Sequence, residues 1–445
     1  MTHEIDLPHL AGQVLDTARK AGADSAELMI SASRGYSLNV RHQAVESLEF
    51  QQDRELSLTV YVGLRKGVAS TGDLTEAGLR DAVTAAVDIA RATGEDPCHG
   101  LAEASLMATH FPDLDLDHPW DIAPADAVLL AQEAERAALA VDARIRQSEG
   151  AGFSSHRSHS LYANSHGFLG ARTGTSHGYN CAVVAADGDD MQRDDWYTYH
   201  RRADQLESPE SVGREAGRRA VRRLGARRIR TQAAPVLFVP ELARGLIGSF
   251  IGAISGGALY RRASFLLDAM DQPIFPAGVS VHQRPYLPCA AASSAFDGEG
   301  VATRDRTLID DGVLRGWVLG SYSARRLGLT TTGNAGGLFN LLLEAPREPF
   351  DHLLKRMGRG LLVTELMGSG VNGVTGDYSR GAAGFWVENG EIAHPVDELT
   401  IAGNLRDLYK NFIGFGDDIR PYATLQTGSV LVSEMMIAAQ DAADA

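Results

Sequence analysis

Apolar residues in the first quarter of the chain recur first at helical spacing and then at strand spacing. Residues 7–21 carry them at three- and four-residue intervals and stop at Gly22, which predicts a helix. Alternating or β-rich runs follow at 26–32, 36–40, 45–50, 56–62 and 66–70. Asp73-Leu-Thr-Glu76 has the form of a capping box, and the helix it opens extends to about residue 93, before Gly94. Residues 97–121 hold prolines and acids without periodicity and read as a linker. The same order then returns. A helix starts at Pro124, strands run from 145 through 199, and a last helix ends at Gly225, with Ser208 as N-cap and Pro209 at its first position.

From Ala233 the texture changes. Glycines become dense, helices few, and short strands alternate with turns such as Ile309-Asp-Asp-Gly312 and Glu388-Asn-Gly390. One short helix is predicted over 404–412 and a last strand around 429–432. The pattern predicts an α+β fold: two mixed helix–strands–helix units (1–96 and 122–230, joined by a linker at 97–121) and then a β-rich C-terminal domain over 231–445. The recurring order implies a duplicated architecture without a residue-level repeat.

Composition narrows the function classes. The chain has 445 residues and a net charge of -15, which argues against nucleic acid or an anionic membrane as its main partner. Three scattered cysteines, Cys98, Cys181 and Cys289, form no C-x-x-C pair and fit a reducing compartment. The start, Met-Thr-His-Glu-Ile-Asp-Leu-Pro, has neither the basic nor the apolar region of a leader. The apolar run between Arg244 and Arg261 is broken by glycines and too short to span a bilayer. A cytoplasmic protein is expected.

Most chemical motifs have a bland reading that fits better. Gly368-Ser-Gly-Val-Asn-Gly373 matches G-x-G-x-x-G, but Val374-Thr-Gly-Asp-Tyr378 opens no helix to face a pyrophosphate, so a glycine-rich turn is expected. Gly174-Thr-Ser-His-Gly178 matches the nucleophile elbow but is followed by a strand, so a polar turn is expected. His156, His159, His166 and His177 cluster in sequence. On a strand, however, His156 and His159 point to opposite faces. Among the arginines from Arg214 to Arg230, Arg214, Arg218 and Arg222 form a stripe apart from an apolar one, with Arg219 and Arg223 beside it, which suits a packed amphipathic helix or an acidic partner surface. Asp297 and Glu299, with Asp377 and Arg380, are candidates to line a cleft.

Val236-Leu-Phe-Val-Pro-Glu-Leu-Ala-Arg-Gly245 reads as a buried strand running into a helix. A metalloprotease would place two histidines on the first turns of such a helix, aimed at one metal; here only Glu241 is a candidate ligand. Further segments are Tyr260-Arg-Arg-Ala-Ser-Phe-Leu-Leu-Asp268, Phe296-Asp-Gly-Glu-Gly-Val-Ala-Thr303, Gly376-Asp-Tyr-Ser-Arg-Gly-Ala-Ala-Gly384 and Thr400-Ile-Ala-Gly-Asn404. With these the chain resembles the TldD/PmbA family of peptide-processing proteins over nearly its whole length, and within it the PmbA (TldE) branch.

That resemblance implies proteolysis and maturation of unfolded peptides. It also implies a His-Glu-x-x-x-His motif and a later cysteine holding the metal in the TldD branch. The corresponding positions here are Pro240, Glu241, Gly245 and Gln426, so the metal site is degenerate and no catalytic residue carries over. No cofactor is expected in this chain; zinc or another divalent metal is expected in a TldD-type partner. The implied role is a non-catalytic subunit of a heteromeric metallopeptidase; whether the chain alone forms a homodimer is left open by the sequence. The alternatives are an autonomous metallopeptidase with other ligands, such as the His156–His177 group, and a regulatory binder akin to a gyrase modulator.

Overall fold

The computed structural model describes residues 6–420 and 422–439; residues 1–5, where the leader reading fell, lie outside them. The N-terminal half contains α1 (Leu7–Lys20), β1 (Ser25–Arg41), β2 (Ala44–Val62), β3 (Arg65–Thr71), α2 (Glu76–Ala92), α3 (Pro124–Leu139), β4 (Ile145–Asn164), β5 (Leu169–Asp187), β6 (Asp190–His200) and α4 (Pro209–Arg222). Thr75 caps α2 by accepting from Gly78 N–H, while Asp73, where the capping box was read, accepts from Thr75 N–H.

Each pair of short runs at 26–32 and 36–40, and at 45–50 and 56–62, is one uninterrupted strand. The polar residues between them lack an apolar signature, yet their peptide groups pair throughout, as in Arg34 opposite Arg157. β1 pairs with β4, so the two units share one antiparallel sheet in the order β3-β2-β1-β4-β5-β6. Leu28 and Ile30 enter the core under α1 and α2, and Leu38 and Val40 of the same strand enter the core under α3 and α4. All four have even numbers, so both helix pairs cover one face of the sheet.

The β1–β2 turn carries no sequence signal. His42 and Gln43 both adopt left-handed φ (51° and 62°) without a glycine. The buried Glu135 carboxylate on α3 accepts from both turn N–H groups, at 2.8 and 2.7 Å. A tertiary contact thus supplies what an Asn-Gly pair would give locally.

The C-terminal half contains β7 (Gln232–Phe238), α5 (Pro240–Ala253), α6 (Gly256–Tyr260), β8 (Ser280–Gln283), β9 (Arg306–Asp310), β10 (Val313–Leu314), α7 (Ser321–Leu327), β11 (Leu341–Glu344), β12 (Arg347–Glu348) and α8 (Phe350–Met357). It continues with β13 (Gly360–Met367), β14 (Asp377–Glu388), β15 (Glu391–Asn404), α9 (Leu405–Lys410), β16 (Phe412–Gly416), β17 (Leu425–Gln426) and β18 (Val430–Ala439). One sheet runs β10-β9-β8-β11-β17. The other runs β12-β16-β18-β15-β14-β13-β7, and β18 also pairs with β7, so β7, β13, β14, β15 and β18 close into a ring. The predicted tight turns are present: Asp311-Gly312 and Asn389-Gly390 have positive φ at both positions.

Residues 97–121 form a strap rather than a free spacer. Arg325 on α7 donates to the Cys98 and Gly100 carbonyls, and Ala108 N–H donates to Gly300 O at 3.0 Å. Thr175 N–H donates to Leu116 O at 3.0 Å, and Cys289 N–H to Leu114 O at 2.8 Å. The strap thereby ties the N-terminal sheet to the C-terminal domain. Among the described residues no helix is long and apolar enough to cross a membrane.

Candidate functional site

β7 delivers the chain into α5, with Val239 as N-cap and Pro240 in the first turn. Ala243, Leu246, Ile247 and Phe250 form the buried stripe that fixes this helix in the core. Its first turn meets the end of β6 and the segment before β17 around a cleft of about 840 Å³. Trp196, Tyr199, Glu241, Arg244, Arg420 and Tyr422 are among its walls.

The charges in this cleft are arranged around Arg420. Its Nε donates to Glu241 Oε1 at 3.0 Å, and a second nitrogen lies 3.9 Å from Glu207 Oε1. Its guanidinium stands 4.2 Å from the centre of the Trp196 ring. Trp196 Nε1–H in turn donates to Glu207 at 3.3 Å. The Glu207 backbone is held by two more bonds, its N–H to Thr198 Oγ1 and its carbonyl from the Tyr179 hydroxyl. Glu241, the acid at the place where the family resemblance puts a metal site, therefore forms an ion pair.

The other positions offer no ligand set. Pro240 is buried and has no donor atom, and Gly245 has no side chain. Gln426 lies on β17 opposite Leu342, one residue past the cleft residue Leu425. A proline, a glycine, an amide and a paired carboxylate do not fit zinc, which takes thiolate, imidazole or free carboxylate ligands.

The candidate cleft-lining residues lie elsewhere. Asp297 is 1% exposed and accepts from the N–H groups of Glu299, Val301 and Ala335, pinning a turn. Burial pushes its carboxyl up to about 7, against the pull of those donors. Glu299 accepts from Ser321 N–H at 2.9 Å. Asp377 accepts from Thr375 Oγ1 and Asn404 Nδ2, which lowers its pKa and fixes the turn before β14. Arg380 lies on β14, its Nε buried and without a hydrogen-bond partner among the described residues.

The remaining motifs also acquire structural readings. Gly174–Gly178 lies inside β5 rather than in a turn, because β4 and β6 pair on both sides of it. Gly368–Gly373 joins β13 to β14 as a turn. His156 and His159 sit on the continuous β4, and His166 Nε2 contacts Ala102 O. His177 is buried, with Ser155 Oγ at Nδ1 and His118 O at Nε2, each at 2.9 Å. Burial lowers its pKa. The arginine stripe is largely spent within the chain: Arg219 on Asp194, Arg223 on Glu365, and Arg222 over Phe385.

One metal-ligand cluster was not legible in the sequence. Asp115, His118 and Cys289 bring a carboxylate, an imidazole and a thiol within 4.8 Å of one another. Burial and the Asp115 charge raise the Cys289 thiol pKa. The cluster depends on the strap contact at Leu114, which no local pattern announces.

Known proteins similar to this chain in sequence or shape are consistent in kind. Three family profiles match in order: PmbA/TldA metallopeptidase domain 1 over 26–90, the central domain over 117–224 and the C-terminal domain over 231–439. Metalloprotease PmbA of Escherichia coli O157:H7 is 48% identical over 94% of this chain and 93% of its own length. A PmbA homologue of Haemophilus influenzae is 45% identical over 98% of this chain and 96% of its own. Among solved structures, a Bacteroides thetaiotaomicron protein assigned as a candidate modulator of DNA gyrase superposes with TM-score 0.93 at 27% identity, covering 98% of this chain and 99% of that one. TldE of Thermococcus kodakarensis shares the fold with TM-score 0.84 at 19% identity, covering 96% and 100%.

Proposed function

Because this chain belongs to the PmbA/TldD metallopeptidase family, we propose that it is the non-catalytic subunit of a cytoplasmic heteromeric metallopeptidase acting on unfolded peptides. Its partner is a TldD-type chain that supplies the zinc or other divalent metal. What supports this reading is that Pro240 and Gly245 on α5 and Gln426 on β17, the positions that the family resemblance aligns with metal ligands, carry no histidine or cysteine, while Arg420 holds Glu241. Hydrolysis by a metal-activated water needs about three protein ligands and an open position. A carboxylate paired with arginine supplies neither.

A shared fold gives this chain a surface close to that of a second catalytic subunit, so it can pair with one while doing other work. Size-exclusion chromatography and peptide cleavage on the two chains, separate and mixed, test the reading. The expected result is no activity from this chain alone, and a larger, active species on mixing. A TldD-type chain fully active alone that never co-elutes with this one overturns it. A second reading, a metallopeptidase acting alone, has the Asp115–His118–Cys289 cluster in its favour. Cleavage by the purified single chain, lost on Cys289→Ser, would establish it.

A further inference from the structure

Two segments far apart in sequence converge at one point of the strap. Asp115 and His118 belong to the strap itself, and Cys289 to the loop between β8 and β9. One ligand atom from each lies within 4.8 Å of the other two, and among the described residues no other three such groups come together so closely. A carboxylate, an imidazole and a thiol are a donor set that zinc takes. The thiol and the imidazole disfavour calcium and magnesium, which seek oxygen.

The backbone holds these donors in place. Asp115 and Cys289 both adopt left-handed φ (54° and 55°), which is uncommon for residues other than glycine. Asp115 N–H donates to Asp113 Oδ1 at 3.0 Å, and Cys289 N–H to Leu114 O at 2.8 Å. His118 is fixed through its main chain: its N–H donates to Thr175 Oγ1 and its carbonyl accepts from His177 Nε2, each at 2.9 Å. His118 Nε2 stands 3.1 Å from Asp115 Oδ1. Two ligands at about 2.0 Å from one tetrahedral zinc are about 3.3 Å apart, so this pair is already near its bound spacing.

Charge points the same way. Burial and the Asp115 charge both oppose a Cys289 thiolate; a metal ion between the two groups reverses that. Carboxylate and thiolate together balance the two positive charges of zinc. The nearby cations are engaged elsewhere. Arg202 pairs with Asp204 at 2.7 Å, and Arg201 donates to the carbonyls of Ala290, Ala291 and Thr175.

We propose that Asp115, His118 and Cys289 bind one zinc ion, with water in the fourth position, and that this ion clamps the strap to the C-terminal domain. The chain beyond Cys289 leads to Ala291, a wall of the large cleft, so the clamp also steadies that wall. This role is separate from the position on α5 and does not depend on a TldD-type partner.

The test uses the purified, reduced full chain after its metal has been stripped with a chelator. Zinc titrated in competition with a chromophoric chelator should load one ion per chain, and calcium or magnesium should not displace it. Cobalt(II) in its place should give the visible bands of a tetrahedral site and the near-ultraviolet sulfur-to-cobalt band of a thiolate ligand. Cys289→Ser should remove the sulfur band and weaken zinc binding at least about tenfold, since even outer-shell partners are worth that much. Cys98→Ser, which changes the other half-buried thiol, should alter neither. Hydrogen exchange reads the clamp: zinc should slow the amides of residues 113–118 in the wild-type chain, and far less in Cys289→Ser.

No zinc uptake by the wild-type chain, no sulfur band, or uptake that survives unchanged in Cys289→Ser overturns the proposal. So does zinc loading that leaves exchange in the strap unaltered. The wild-type spectrum needs no variant to fold, and thermal unfolding checks the variants. Nothing is read from peptide cleavage, so the outcome stands apart from assembly and activity.

Discussion

Arg420 donates to Glu241 across 3.0 Å, joining two residues 179 positions apart in the chain. The pair makes Glu241 a strut between α5 and the segment entering β17. The same guanidinium lies over Trp196, so one side chain links the C-terminal domain to the edge of the N-terminal sheet.

Removing that strut should cost more than removing its acid. Glu241→Gln breaks a partly exposed ion pair and should destabilise by about 0.5–1 kcal/mol. Arg420→Ala also loses the Trp196 contact and should cost about 1–2 kcal/mol. Urea unfolding followed by tryptophan fluorescence measures both; equal losses would show that the Trp196 contact contributes nothing.

Glu135 should be among the most sensitive polar positions in the N-terminal half. Its buried carboxylate satisfies the two N–H groups of a turn held in left-handed φ. Glu135→Gln turns an amide NH₂ toward one of those donors and should destabilise by about 2–3 kcal/mol.

The same carboxylate sets an acid limit. Burial raises its pKa, but the bonds from Ser148, Gln43 and His42 outweigh burial and leave it below the ordinary 4.5. A depressed carboxylate gives stability that is present above the unfolded pKa and lost as pH falls through the folded one. The advantage of wild type over Glu135→Gln should therefore be full at neutral pH and shrink below about pH 4.5, the ordinary value for glutamate. Unfolding curves from pH 3 to 7 (roughly the span of carboxylate linkage) check this; a gap that does not narrow toward the acid end refutes it.

Gly245 is a helical glycine with nothing within 4 Å of the place its Cβ would occupy. Gly245→Ala should stabilise by about 0.5–1 kcal/mol, from lower unfolded-state entropy at no steric cost. A rise in melting temperature is the expected readout. A fall would mean that α5 is not helical through this position.

Metal content separates the two places where a cation has been considered. Elemental analysis of the purified chain should find no zinc or iron whose retention depends on Glu241. Zinc taken up on titration should be weakened by Cys289→Ser or His118→Ala and unaffected by Glu241→Gln. One tightly held metal per chain, lost on Glu241→Gln, would contradict this account.

Local pattern gave many of the elements that bury one face. α1, α2 and α4, the strand entering α5 and the Asp311-Gly312 and Asn389-Gly390 turns were all legible. Continuity was missed where polar stretches cross the sheet, as at Arg34 opposite Arg157, because peptide pairing needs no apolar side chain. α8 was missed because its eight residues fall within a run read for short strands. The His42-Gln43 turn was missed because its stabilising group lies on another helix.

The sequence by itself determined that Pro240, Gly245 and Gln426 offer no metal ligands, since this follows from residue identity alone. Through periodicity it also determined which face of α4 turns inward, the one carrying Val212, Ala216 and Ala220. Only the tertiary structure decided that the edge of β6, the start of α5, Arg420 and residues 422–425 enclose one cleft, with Glu241 paired and Arg244 Nε and Nη2 without a partner among the described residues. The physical reason is that hydrophobic periodicity specifies burial of a face without specifying its neighbour. Charges separated by many tens of residues find one another only after the two cores and the strap between them have fixed their positions.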